Sequence, residues 1–362
     1  MPAKTATSTP VHPDRCFVKE LAGENPPSFA ALQNLYELAS QLYARHPWDL
    51  LNESQLILLR SSADDELCYC SVMGSLGQVY AMHAYLGPKS FRTFRKMEAG
   101  EVTEVGQVFA SQHTVCLEFV SRAELEKPDR DLLAALGHPR SRKAKCPIFR
   151  TIRPGFYPWF VTAEEAQILA ECIHAVLVVC SAVALDSGSR FWDEEQGIYP
   201  MVSPAPSGKS EYQIEPTKAA LSPDDSPTPV RLDDEVLNRL RGQDYAVRGV
   251  MELDHAFSAA AIGGRNERKA CTCVALAVDA ETGILYAPEL TGASVSPADA
   301  MAQVFVKAVQ STRIFPREVH VRHAVFQDQL APLLQSFDVA VRVQPKLPAM
   351  DQARAELSRF FS

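Results

Sequence analysis

The residue types best suited to chemistry fall in one apolar run of the last third of the chain, Val250-Met251-Glu252-Leu253-Asp254. In a strand, Glu252 and Asp254 point to one face and Met251 and Leu253 to the other. Two carboxylates on one face serve either of two ends. They form a polar strand face beside a loop, or they line a metal or ligand cleft with His255 or His323 close by, because hard cations take oxygen ligands. A second set is aromatic: Trp48, Tyr80 and Trp159 would line a small-ligand pocket if the fold gathers them, and are core residues if it does not. His138, Arg140, Arg142, Lys143 and Lys145, bounded by Pro139 and Pro147, suit a solvated loop or an anion-binding loop. His83, His113 and His174 stand apart in the chain and read as packing or surface residues. Asp279 before Glu281-Thr282-Gly283 reads as turn chemistry.

Cysteine offers less. There are nine, and Cys68-x-Cys70 and Cys271-x-Cys273 would each put two thiols on one strand face. Without any C-x-x-C pair, the usual zinc and thioredoxin-like patterns are missing, and buried free thiols are the expectation. No GxGxxG, P-loop, GxSxG or HExxH motif occurs.

The elements that must position these residues follow from periodicity and punctuation. Residues 1–27, with Pro2, Pro10 and Pro13, read as a flexible leader. An N-terminal domain spans 28–202. It opens with a helix over 28–44, whose Leu32, Leu35, Leu38, Ala39 and Leu42 make one apolar stripe. Strands are predicted at 55–60, 66–73, 78–86 and 114–120, with Gly74-Ser75-Leu76-Gly77 turning a hairpin. Short helices are predicted at 89–97 and 130–136, and residues 149–160 as an irregular aromatic clamp. The apolar stretch 162–184 reads as a buried helix, because its uninterrupted apolar run is shorter than the roughly 20 residues of a bilayer span. Six prolines and Asp224-Asp225 mark 203–229 as a Pro/Ser/Asp-rich linker. A second domain, 230–362, reads β-β-β-α-β-α-β-α after a first short helix. The class is α+β, with a mainly antiparallel sheet in the first domain and a mixed sheet in the second.

Charge narrows the function. The chain of 362 residues has net charge −8, with 15 Lys/Arg against 16 Asp/Glu from Val230 onward and 21 against 28 before it. Neither part is basic, so sequence-blind nucleic-acid binding, which rests on phosphate neutralisation, is not favoured. The opening residues lack the apolar core of a signal peptide, and nine cysteines without a framework suit a reducing compartment. The expectation is a cytoplasmic protein with no membrane partner, no cofactor, and a protein partner of unknown identity.

Two stretches resemble known families. Val250–Asp254, Val274-Ala275-Leu276-Ala277-Val278-Asp279, Ser296–Ala308 and Pro316–Arg322, followed by a terminal helix, resemble ribonuclease H-like folds of the integrase and transposase-core kind. That resemblance implies a mixed-sheet α/β domain. It also implies acidic metal ligands on the first strand, after the fourth strand and on the last helix, for two-metal phosphoryl transfer with Mg²⁺ or Mn²⁺. Asp254 fills the first position and Glu356 the last. Where the middle acid belongs, the chain reads Arg322-His323-Ala324. The resemblance therefore implies a non-catalytic binding or interaction protein on a scaffold lacking a full metal site. The alternative is a metal-dependent nuclease or polynucleotidyl transferase using Asp254 and Glu356. Trp48, Tyr69–Gly74, Gly77, Tyr85-Leu86-Gly87 and Tyr157-Pro158-Trp159 resemble a bacterial domain family of unknown function, which carries no activity over.

Overall fold

A computed structural model describes residues 24–360 except 64, 103–104, 138–144, 186–190, 205–211, 220–227, 265–266, 287 and 293–294. The chain divides into two compact units, residues 1–222 with 263–269, and residues 223–262 with 270–362. Both combine helices with sheets, so the protein is of the α+β class.

In the first unit, Ser28 caps α1 (Phe29–Arg45) by accepting from the Ala31 N–H at 3.2 Å. Strands β1 (Ile57–Arg60), β2 (Leu67–Met73) and β3 (Ala81–Leu86) follow. Then come α2 (Gly87–Glu98), α3 (Val105–Ser111), β4 (Thr114–Val120), α4 (Lys127–Ala135), β5 (Cys146–Ile152), α5 (Ala163–Leu185), β6 (Ile198–Pro204) and β7 (Tyr212–Lys218). The sheet runs β5-β4-β3-β2-β1-β6-β7, antiparallel except where β1 meets β6. Strand alternation divides its residues between two cores. On one face Cys68, Cys70, Met82, Ala84, Val115 and Leu117 pack under α1 and α5. On the other, Leu58, Tyr69 and Tyr85 pack under Phe91 and Phe94 of α2, where Tyr69 and Phe91 stack at 4.2 Å.

Three sequence expectations change here. The 203–229 linker contains β7, which pairs along its length with β6. Proline punctuation is misleading in this segment because β7 is an edge strand, where Pro216 gives up an N–H that no partner needs. The same holds for Pro147 in β5, the opposite edge, a strand that the aromatic-clamp reading overlooked. Helix α3 was not expected at all. Among the basic residues of 138–147, Lys145 is exposed and His138, Arg140, Arg142 and Lys143 lie outside the described residues. Residues 1–23 of the leader, and 205–211 and 220–227 of the linker, do too.

By length and composition α5 could cross a membrane. Within this fold its Ile168, Leu169, Cys172, Ile173, Val176 and Val179 are buried on the sheet and α1.

The second unit comprises α6 (Asp234–Arg241), β8 (Ala246–Val247), β9 (Val250–Ile262), β10 (Ala270–Asp279) and β11 (Glu289–Gly292). It continues with α7 (Pro297–Thr312), β12 (Ile314–Phe315), β13 (Glu318–Val321), α8 (Ala324–Gln335), β14 (Ala340–Val343) and α9 (Pro348–Phe360). Its five-stranded sheet runs β11-β10-β9-β13-β14. Strand β10 is antiparallel to both neighbours, and β9, β13 and β14 are parallel. Met251, Leu253, Ala275, Ala277, Val319 and Val321 pack against α7 and α8 on one face. Leu276 and Val278 pack against Leu347, Met350 and Ala353 at α9 on the other. The third strand lies later than expected: the described residues of 284–288 contribute a Leu285–Val278 bridge, and the ladder forms at 289–292. As the sequence suggests, Asp279 makes an Asx turn, its Oδ1 accepting from the Glu281 N–H (3.1 Å), the Thr282 N–H (2.7 Å) and the Thr282 hydroxyl (2.8 Å).

Candidate functional site

The face of β9 that carries Glu252 and Asp254 is the face covered by α9. Asp254 stands opposite Leu276 and Glu252 opposite Val278, the two β10 residues that meet that helix. Both carboxylates are buried, at 3% and 4% exposure, so each needs partners. Glu252 Oε2 accepts from the Met350 N–H at 2.7 Å, in the first turn of α9. It thereby satisfies an orphan N–H and places a carboxylate where the helix dipole favours one. Burial nevertheless pushes its pKa above the ordinary value, with the Met350 hydrogen bond opposing.

Asp254 is held by cations. Its Oδ2 accepts from Arg322 Nε (3.2 Å) and Nη2 (3.1 Å) and from Arg354 Nη1 (3.0 Å). Oδ1 accepts from the His255 N–H at 2.9 Å. Arg322, just past the end of β13, also donates to Asp351 Oδ1 (2.7 Å) and the Pro345 carbonyl (3.2 Å). Burial works against its charge, and Asp351 and Asp254 outweigh that, keeping its pKa above the ordinary value. Met350 and Arg354, one helical turn apart, thus tie α9 to the two strand acids.

The other expected members are not gathered. Glu356 is exposed and accepts from Gln352 at 3.1 Å, and the α9 side chain that reaches Asp254 is Arg354. Alternation along β9 turns His255 to the face away from Asp254, where its ring lies 5.6 Å from that of Phe257. Burial lowers its pKa, and its Nε2 has no hydrogen-bond partner. His323 is the exposed residue before α8, 6.0 Å from the Phe326 ring. In the first unit, Trp48 and Tyr80 pack together at 4.5 Å, whereas Trp159 pairs with Phe160 in a separate cluster. The pocket expected from these three aromatics does not form among them.

Sequence reasoning missed two polar clusters. At the start of α5, Glu165 is 3% exposed. It accepts from the Thr151 hydroxyl (2.8 Å), Arg153 Nε (2.7 Å) and the Thr162 N–H (2.9 Å), with His113 Nε2 at 3.6 Å. Burial alone would raise the Glu165 pKa, but His113, Arg153 and Thr162 bring it down to about 2. On the sheet, His83 of β3 stands directly opposite Cys116 of β4, and Glu118 follows two residues on, so all three share a face. His83 Nε2 lies 3.6 Å from Glu118 Oε1. Burial opposes a charge on His83, while Cys116 and Glu118 raise its pKa. His83 and His113, expected as isolated, both have acidic neighbours; His174 packs on the Tyr212 ring at 4.6 Å.

Two family models match the chain. Residues 33–199 match a Domain of unknown function (DUF7309), and residues 236–358 match another, Domain of unknown function (DUF6930). Neither a curated protein nor a solved structure matches it. The chain thus combines two domains of unknown function.

Proposed function

We propose that the second unit is a ribonuclease H-like scaffold whose metal position is closed by arginines, and that the protein is a non-catalytic binding protein. The scaffold reading is supported by topology. In chain order the strands lie 3-2-1-4-5 with the second antiparallel, and helices follow the third, fourth and fifth, the arrangement of ribonuclease H-like folds.

The non-catalytic reading rests on one observation: the Oδ2 atom that would face a divalent cation accepts from both Arg322 and Arg354. A metal pair needs several carboxylate oxygens free to coordinate. Here Asp254 is neutralised by guanidinium groups, Glu252 is spent on the α9 terminus, and Glu356 faces solvent. The first unit serves as the interaction module, and a net charge of −8 supports a protein partner over nucleic acid. Eight described cysteines, all buried and none in a disulfide, support a reducing, cytoplasmic setting.

The test is Mn²⁺-dependent cleavage of labelled single-stranded, duplex and RNA–DNA substrates by the natural protein and Asp254→Asn. The expected result is no metal-dependent cleavage by either. Cleavage by the natural protein that Asp254→Asn abolishes would overturn the proposal in favour of a metal-dependent nuclease.

A further inference from the structure

The first unit carries a second cluster that its packing does not consume. Antiparallel pairing of β3 with β4 sets His83 opposite Cys116 and Ala81 opposite Glu118. An imidazole, a thiol and a carboxylate therefore leave one sheet face together. One ligand atom from each lies within 4.8 Å of the other two. Cys116 is 1% exposed, whereas the His83 and Glu118 side chains are 21% and 37% exposed. The thiol forms a floor, the other two form a rim, and the remaining side opens toward solvent.

We propose that His83, Cys116 and Glu118 bind a divalent transition-metal ion, Zn²⁺ by preference. The donor set is one nitrogen, one sulfur and one oxygen. Such a mixed set suits borderline-soft Zn²⁺ and is unsuited to Mg²⁺ or Ca²⁺, which take oxygen ligands. Ligands at about 2.0–2.3 Å from tetrahedral zinc stand roughly 3.3–3.8 Å apart. The His83–Glu118 separation of 3.6 Å already meets that spacing. Closing the rest takes no more than about 1 Å of side-chain movement on a backbone fixed by β2, β3, β4 and β5, which keeps the cost of assembly low. Three protein ligands leave the solvent-facing fourth place for a water, as open zinc sites do.

Among the described residues, two strand neighbours of the cluster are engaged elsewhere. Arg150 stands opposite Cys116 on β5, but Asp129 holds its guanidinium at 2.7 and 3.0 Å. Ser71, opposite His83 on β2, donates its hydroxyl to the Glu53 carbonyl at 2.8 Å and so is not a ligand. The site is independent of Asp254 and of the proposal made for the second unit.

The experiment uses the full chain, stripped with a chelator under reducing conditions. Zn²⁺ is titrated against a chromophoric chelator, and Co²⁺ serves as the spectroscopic probe. The expected result is one Zn²⁺ per chain at this site and a thiolate-to-cobalt charge-transfer band. Cys116→Ser should abolish the band, while Cys172→Ser, in the other core, should leave it. His83→Gln and Glu118→Gln, whose side chains are at the rim and whose folding circular dichroism checks, should each weaken Zn²⁺ binding by about 100-fold or more, since even outer-shell changes cost 10–100-fold. No cobalt–thiolate band, a band that survives Cys116→Ser, or unchanged affinity in both rim variants would overturn the proposal.

Discussion

Replacing Asp254 by Asn separates an anchoring role from a metal-binding one, because the two roles give opposite signs. Asn keeps the size and one carbonyl oxygen but removes the charge that Arg322 and Arg354 share. Asp254 is buried, while the Arg322 and Arg354 side chains are 21% and 35% exposed. Removing one partner of a fully buried ion pair costs about 3–5 kcal/mol. Here the guanidinium groups keep part of their hydration and Arg322 keeps Asp351, so about 2–4 kcal/mol is expected. Were Glu252 and Asp254 a carboxylate pair awaiting a cation, neutralising one would relieve repulsion and leave stability equal or higher. Hydrogen exchange of peptides from β9 and β10 reads the second unit directly. Amides that exchange through unfolding of that sheet should speed up by about 30-fold to several hundred-fold, at tenfold per 1.4 kcal/mol. Arg354→Met in the Asp254→Asn background should cost less than in the natural protein, since the pair it breaks is already gone. Unchanged or slower exchange in Asp254→Asn would refute the reasoning.

Three further outcomes follow from the same geometry. Glu165 has a pKa of about 2 against an ordinary 4.5. A carboxylate with a lowered folded-state pKa stabilises the fold above its unfolded value, and that contribution disappears as pH falls from 4.5 toward 2. Urea unfolding followed by tryptophan fluorescence should therefore show Glu165→Gln less stable by about 3 kcal/mol at pH 7 and nearly equal to the natural protein near pH 2. Gly74→Ala places a methyl group 2.8 Å from Tyr80 Cδ1 and 2.9 Å from Trp48 Cβ at φ +142°. It should cost about 1–3 kcal/mol in the same assay, with a shifted Trp48 emission. Ser296 caps α7 by accepting from the Asp299 N–H at 3.1 Å. Ser296→Ala should cost about 1 kcal/mol, read as faster exchange in the first turns of α7.

The sequence conveyed the second unit better than the first. From Val250 to the C-terminus the helices and strands announce themselves by period and punctuation, except β11, which lies later than its apolar run, and the two-residue β12. Ser296-Pro297 opens α7, Asp279 to Gly283 turns the chain, and β10 lies where its apolar run predicted it. In the first unit β5, β6 and β7 were not predicted because each carries proline; β5 and β7 are edges, and β6, between β1 and β7, keeps Pro200 outside the two residues that pair with β1. The shared face of Glu252 and Asp254 followed from alternation alone. Their partners did not, because Arg354 and Met350 reach them through the docking of α9, which no local pattern encodes. Glu356 was chosen by analogy of position. On the helix it is Met350, Ala353 and Arg354 that turn toward the sheet.

Whether a polar cluster anchors or binds depends on what its own residues leave unmet. Around Asp254, the acids Asp254 and Asp351 face the cations Arg322 and Arg354, and Glu252 is matched by a helix terminus. Every charge there has a partner from a neighbouring element, so an added cation would have to displace an arginine and strand it. At His83, Cys116 and Glu118 the three donors lie within 4.8 Å of one another on two adjacent strands, with the His83 and Glu118 side chains partly exposed. The β3–β4 ladder holds these three donors on one sheet face. The paired carboxylates of β9 are thus the weaker signal in this chain, and the strand register that assembles three unlike donors is the stronger one.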